Sequence, residues 1–281
     1  MASWGNSELQ RLIDDTTALL RDIGGEEALN EELSYYGPKL RESFPRLNHV
    51  YVRMCDSIRN TAYMRMVIND VYFARMEPEL LHINLHDIAT APDPLALARL
   101  SQIIDTTCSV SPSTQENKKA WKIFKQGAVD GSRYLTKYRD TGEFYAYIDS
   151  HSSTAQDALK LAGELDQIKG IGLALACDFL KEIAVDRYGK PDRHIKELFK
   201  QLGLISGQDE DKQAFMILWQ LSDLTNRPAV EVDKILWIAK SGRWDRTLDK
   251  RPDSRGLKRI YLDRQRRFDD LIADELERHK G

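Results

Sequence analysis

Two short stretches carry residue types that can do chemistry. Gly189-Lys190-Pro191-Asp192-Arg193-His194-Ile195 sets an aspartate just before a helical run, with Leu198, Phe199 and Leu202 at helical spacing. An aspartate there is an N-cap that accepts a hydrogen bond from the first turn. The helix dipole and the amide bonds also favour a negative charge at that point. A carboxylate held so can stabilise positive charge developing on a substrate and can orient or deprotonate a water. A plain capping role explains Asp192 equally well. The second stretch is Ile168-Lys169-Gly170-Ile171-Gly172, between a helical run ending at Asp166-Gln167 and an apolar run from Leu173 to Ile183. Two glycines separated by one aliphatic residue let the backbone turn sharply between antiparallel helices. The turn's amides, with those opening the next helix, would form a positive cluster suited to a phosphate oxygen. Ile168 and Ile171 would anchor the turn in the core. A simple helix connection accounts for the glycines as readily.

The elements that must position these residues read as helices throughout. An Asn6/Ser7 cap opens an amphipathic run to about Asp22, with Leu9, Leu12, Ile13, Leu19 and Leu20 in helical period, and Gly24-Gly25 ends it. Further helices are predicted near 47–76, 94–106, 115–138, 143–150, 154–166, 173–187, 193–202, 209–225, 229–240 and 256–279. Turn signals fall between them, at Pro38, Pro45, Pro92, Pro94, Ser111-Pro112-Ser113, Asp140-Thr141-Gly142, Gly203 and Gly207. No alternating Val/Ile/Tyr-rich segments flank hairpin turns, and no fixed-period repeat is present. The expected fold class is all-α.

Taken together, Ile168-Lys169-Gly170-Ile171-Gly172 and Pro191-Asp192-Arg193-His194-Ile195 resemble the signature of the helix-hairpin-helix (HhH-GPD) DNA glycosylase superfamily. That family's hairpin reads L-P-G-[IV]-G and its distal motif D-x-H-[IV], and the separation of the two motifs in this chain also fits. The resemblance covers about 155–204, with the hairpin motif near 155–187. Asn117-Lys118-Lys119-Ala120, opening a long helix, is similar to the family's helix before the hairpin. It implies a two-lobed helical fold with both lobes packed together over 46–281, preceded by an N-terminal helical extension, 1–45. It also implies Asp192 as the catalytic carboxylate, and Lys169, Gly170, Ile171, Gly172 and Ala174 as DNA contacts. His194 matches the family's histidine, whose role is to position the helix after Asp192 rather than to carry a proton.

The chain departs from the pattern twice. Bifunctional members carry a lysine two residues beyond the second glycine, where this chain has Ala174. No Schiff base with the sugar, and no strand-cleaving lyase step, is therefore expected. Lys169 stands where the family has proline, which costs turn rigidity and adds a cation for phosphate. The implied reaction breaks an N-glycosidic bond through an oxocarbenium-like state that a fixed carboxylate stabilises. A base stacked in a duplex must first rotate into a pocket. By analogy helix 47–76 lines that pocket, with Arg59 and Asn60 filling the gap left by the base. Tyr63, Tyr72, Phe73 and Trp121 either stack on a base or fill the core.

Other residues bound the reading. His82 and His86 stand four apart with Asp87 following, a spacing that suits a metal on a helix, but there is no clear third ligand and no metal is expected. Cys55, Cys108 and Cys177 are too scattered for a zinc or iron–sulfur cluster and read as buried thiols, and no cofactor is expected. With 42% hydrophobic and 30% charged residues the chain reads as globular rather than disordered. No apolar run approaches the length of a membrane span, and the N-terminus lacks a signal-peptide pattern, so a cytoplasmic location is expected. The net charge is −3, yet Lys240–Arg267 holds eleven Lys or Arg against four Asp. That stretch either faces phosphate or is a solvated helix face.

The Lys-Pro-Asp-Arg-His-Ile run is similar to a branch known as alpha-glutamyl/putrescinyl-thymine pyrophosphorylase, tied to phage DNA with hypermodified bases. The implied partner is double-stranded DNA carrying a modified base, with no membrane and no obligate protein partner. The first substrate in view is glucosylated hydroxymethylcytosine, removed as antiviral defence. The alternatives are a repair glycosylase for damaged bases, a non-catalytic DNA-binding protein, and a modified-base pyrophosphorylase.

Overall fold

The computed structural model describes residues 4–34, 38–108, 115–244, 247–248 and 257–280. Among them there is no strand, and the fold is all-α. In chain order the helices are α1 (Asn6–Gly24), α2 (Glu26–Ser34), a 3-10 turn at Pro38–Ser43, α3 (Leu47–Ile58), α4 (Ala62–Val67), α5 (Asp70–His82) and α6 (Leu85–Thr90). They continue as α7 (Asp93–Cys108), α8 (Gln115–Leu135), α9 (Thr141–Ser150), α10 (Ala155–Leu165) and α11 (Leu173–Glu182). The last four are α12 (Arg193–Gln201), α13 (Glu210–Thr225), α14 (Ala229–Ser241) and α15 (Leu257–Lys280). No helix among the described residues is long and apolar enough to cross a membrane.

The predicted single helix over 47–76 is three helices. Thr61 accepts a hydrogen bond from the Met64 amide and Asn69 accepts one from Tyr72, so each starts a new helix with its own side-chain cap. Short polar residues compete for backbone amides inside an apolar run, and here the caps win. α2 and α6 have no counterpart among the predicted helices. α6 is likewise opened by a capping side chain, Asn84, which accepts from the amides of His86 and Asp87.

The chain forms two compact units, Met1–Pro38 with Ala184–Gly281, and Lys39–Ile183. Where sequence resemblance sets off 1–45 as an extension, the structure divides at Pro38/Lys39 and again at Ile183/Ala184. The physical reason is burial. Leu9, Leu12, Ile13 and Leu20 of α1 enter one core with Leu198 and Phe199 of α12, Leu218 of α13, Ile235 of α14 and Phe268 of α15. Arg11 of α1 also pairs at 3.0 Å with Glu275 of α15, whose carboxylate is buried. The first helix is thus a load-sharing member of this unit.

In the unit Lys39–Ile183, α3 packs on α5, α8 and α11, and α8 also packs on α6 and α7. Tyr51, Met54, Cys55 and Ile58 of α3, Phe124 and Ala128 of α8, and Phe179 of α11 are fully or almost fully buried. The long pair α3 and α8 is the frame on which the α10–α11 hairpin sits.

Candidate functional site

The hairpin is built from its ends inward. Thr154 caps α10 by accepting from the Asp157 amide at 3.1 Å. After Leu165 the chain tightens through Ile168 N–H to Leu165 O and Ile171 N–H to Ile168 O, both 3.0 Å, and Gly172 then caps α11. Ile168 and Ile171 are each only 3% exposed, so the turn is anchored by its two aliphatic residues as expected. Gly170 has φ +88°, and a Cβ there would stand 2.8 Å from Ile123 Cγ2. Glycine is required twice over, by conformation and by space.

The turn rests on α8. The Lys169 amide donates to Asp130 Oδ2 at 3.1 Å, and a Cβ on Gly127 would fall 2.2 Å from the Lys169 carbonyl oxygen. Backbone contact this close fixes the hairpin but also uses one of its amides. For an anion the turn offers the opening of α11, where Leu173 and Ala174 have no carbonyl behind them to accept. Gly172 is exposed and Ala174 half-buried, while the Lys169 side chain is exposed. The Asp166 carboxylate lies 3.9 Å from where a Gly172 Cβ would be, and raises the cost of an anion on that side.

Asp192 belongs to the other unit. Its Oδ1 accepts from the Ile195 amide at 3.2 Å, which makes it the N-cap of α12. The approach is fixed by Asp192 N–H to Lys190 O, 2.7 Å, and by the Lys190 amide donating to buried Asp233 at 3.0 Å. Asp192 is half-buried, and among the described residues its Oδ2 meets no partner. One oxygen is therefore structural and the other is open to a ligand or a water. His194 stands edge-on to Trp237, with centroids 6.3 Å apart, and packs rather than reaching Asp192. Lys234 lies 4.6 Å over the Trp237 ring and pairs with buried Glu32 at 3.2 Å.

The residues expected to line or fill a base pocket are dispersed differently. The Arg59 side chain is buried, paired with Asp56 at 2.5 Å and Asp70 at 2.6 Å, and lies 4.5 Å over the Phe73 ring. Asn60 donates to buried Asp178 at 2.5 Å. Both side chains are committed within the fold, whereas a residue that fills a vacated base stack needs a free end. Trp121 is buried, Tyr72 half-buried 6.5 Å from it, and Tyr63 exposed. His82 closes α5, with its Nδ1 2.7 Å from Pro78 O, and His86 belongs to α6. Because the helix breaks at Ile83-Asn84, the four-residue spacing does not bring the two histidines onto one helical face.

Sequence reading missed a buried ionic network in this unit. Arg53 sits between Asp56 at 2.5 Å and Glu182 at 3.5 Å, and Lys181 lies 3.6 Å from Asp178. The Arg59 guanidinium holds the Asp70 carboxyl below its usual range. The signal was present in α11, where Asp178 interrupts an apolar run, and in Arg53, Asp56 and Arg59, which recur every third residue along α3 and its C-cap.

In the basic stretch Lys240–Arg267, residues 245–246 and 249–256 lie outside the described residues. Arg264 donates to Gly242 O at 3.0 Å, Arg267 pairs with Asp22, and Arg266 is exposed.

No protein-family profile matches the chain, and no curated protein does. Among solved structures the chain is similar to an 8-oxoguanine glycosylase/lyase of Methanocaldococcus jannaschii, crystallised with a 15mer DNA containing 8-oxoguanine. The identity is 16% and the TM-score 0.48, over 84% of this chain and 98% of that one.

Proposed function

We propose that the protein is a monofunctional DNA glycosylase that hydrolyses the N-glycosidic bond of a modified base and leaves an abasic site. The observation that carries this reading is Asp192: one carboxylate oxygen caps α12 while the other meets no partner among the described residues. A carboxylate so placed stabilises the cationic sugar and orients the attacking water. The glycine turn at 170–172 supplies a second support, since the opening of α11 suits a backbone phosphate. Ala174 offers no amine at the position where a Schiff base would form, so the strand stays intact until alkali is added. The substrate put forward is a bulky modified pyrimidine in phage DNA, glucosylated hydroxymethylcytosine first, with removal acting as defence.

The test is base release measured by mass spectrometry from glucosylated phage DNA, with abasic sites read by alkali cleavage. Asp192→Asn should lower the rate by about 10²–10⁴ while DNA binding is kept. Release of alkylated or deaminated bases with glucosylated DNA untouched would replace defence by repair. A second reading rests on the same hydrogen bond. Capping alone fully occupies Oδ1, and a non-catalytic DNA-binding protein needs no more. In that case wild-type protein releases no base, and Asp192→Asn behaves as wild type in every assay.

A further inference from the structure

Residues 118–125, in the first half of α8, include four lysines and no acidic residue, in a chain whose net charge is −3. Ala120, Trp121 and Phe124 turn one side of this stretch into the core. Lys118, Lys119 and Lys122 are exposed on the other side and meet no carboxylate among the described residues. The fourth, Lys125, donates to the Ser101 hydroxyl at 2.9 Å. Lysines on other helices have acidic partners: Lys160 pairs with Asp157 at 3.0 Å, Lys200 with Glu210 at 2.7 Å and Lys212 with Asp209 at 3.5 Å. The three on α8 are unfavourable for the helix as it stands. Lys118 and Lys122 are four residues apart, a spacing at which like charges repel. Lys118 also falls in the first turn of α8, at the positive end of the helix dipole.

The row leads to the glycine turn. Ile123 is four residues after Lys119, so the two share a helical face, and a Cβ on Gly170 would meet Ile123 at 2.8 Å. One turn further along α8, Gly127 lies against the Lys169 carbonyl, and Asp130 accepts the Lys169 amide. Lys169 is itself exposed and without a carboxylate partner among the described residues, so it adds a cation beyond the end of the row. The spread of these charges selects the ligand. Lys118 to Lys122 alone covers about 6 Å of helix rise, and the turn lies beyond it. A single compact anion reaches one or two of the ammonium groups, whereas a chain of repeated phosphates reaches all of them. We infer that Lys118, Lys119 and Lys122 form a phosphate-contacting row for the backbone of duplex DNA, which extends the grip of the turn at 170–172 along α8. This rests on the DNA-binding part of the function proposed above, and it assigns contacts that neither the turn nor Asp192 supplies.

The experiment is salt titration of duplex binding by the full-length protein, read by fluorescence anisotropy on an unmodified labelled duplex, so that base release does not enter. Each phosphate contact contributes about 0.9 to the slope of log affinity against log salt. Lys118→Gln, Lys119→Gln and Lys122→Gln combined should therefore flatten the slope by about 2.7. The melting temperature of that variant should be unchanged or higher, because repulsion along α8 is relieved. Lys160→Gln, Lys200→Gln and Lys212→Gln combined alter the net charge equally and should leave the slope as in wild type. An unchanged slope in the α8 variant, or equal flattening in the charge-matched control, would overturn the inference. If Lys169→Gln flattens the slope and the α8 variant does not, the turn remains the DNA contact and only the row is removed. A flattened slope in the α8 variant, with no base released from any DNA by wild type, would keep the row and remove the glycosylase.

Discussion

At the scale of single residues, substitution can separate the helix cap at Asp192 from the catalytic role proposed for it. Asparagine caps a helix about as well as aspartate, whereas alanine loses the cap at about 1 kcal/mol. Asp192→Asn should therefore denature within about 0.5 kcal/mol of wild type, and Asp192→Ala should lose about 1 kcal/mol by urea unfolding. Equal stability losses in both variants would mean that the carboxylate's charge, rather than its cap, holds α12. Gly170 makes a sharper case. Its φ of +88° and the 2.8 Å approach to Ile123 impose strain on any side chain. Gly170→Ala should cost about 1–3 kcal/mol and weaken DNA binding if the turn grips phosphate. A variant that loses stability yet binds DNA as before would detach the hairpin from the interface.

At the scale of elements, the structure explains which parts could be read in advance. The hairpin anchors Ile168 and Ile171 and the N-cap at Asp192 are local features, set by residues a few positions apart, so spacing alone located them. Helix breaks at Thr61 and Asn69 are local too, but their caps compete with a continuing apolar period, and the period misled. The ionic network is not local. Asn60 meets Asp178 and Arg53 meets Glu182 only because α3 packs on α11, and no pattern within either helix specifies that pairing. This also explains why Arg59, which looked available in the sequence, is instead a structural cation. Arg59→Ala would leave Asp56 paired with Arg53 alone, and a loss of about 1.5–3 kcal/mol, that of hydrogen bonds to charged groups, is expected. The Arg59–Asp70 pair adds a pH dependence of known sign. Because Arg59 lowers the Asp70 carboxyl pKa in the folded state, its stabilisation is present above the unfolded carboxylate value, about 3.9, and is lost as pH falls through the lower folded value. Asp70→Asn should flatten the acid limb of the unfolding profile slightly, since Asp70 is largely exposed and solvent screens it. An unchanged acid limb in that variant would show that the pair does not couple to folding.

At the scale of the molecule, charge is what must be reconciled with the polyanionic partner proposed above. A net charge of −3 gives no general attraction to DNA, so binding has to come from local cations. Not every arginine in the basic stretch is free to serve. Arg264 bonds the Gly242 carbonyl and Arg267 pairs with Asp22, so both tie α15 to its own unit. Arg266 is exposed on the same helix, and Lys169, on the hairpin turn, is exposed as well. The two kinds of arginine should separate under salt titration of duplex binding. Each lost phosphate contact lowers the slope of log affinity against log salt by about 0.9. Arg266→Gln should flatten the slope by about that amount without changing stability, and Lys169→Gln should do the same. Arg267→Gln should instead lower the unfolding midpoint modestly, as expected for a partly exposed ion pair worth about 0–1 kcal/mol, and leave the slope unchanged. If Arg266→Gln leaves the slope untouched while Lys169→Gln reduces it, α15 is a solvated face and the duplex is held from the hairpin side alone.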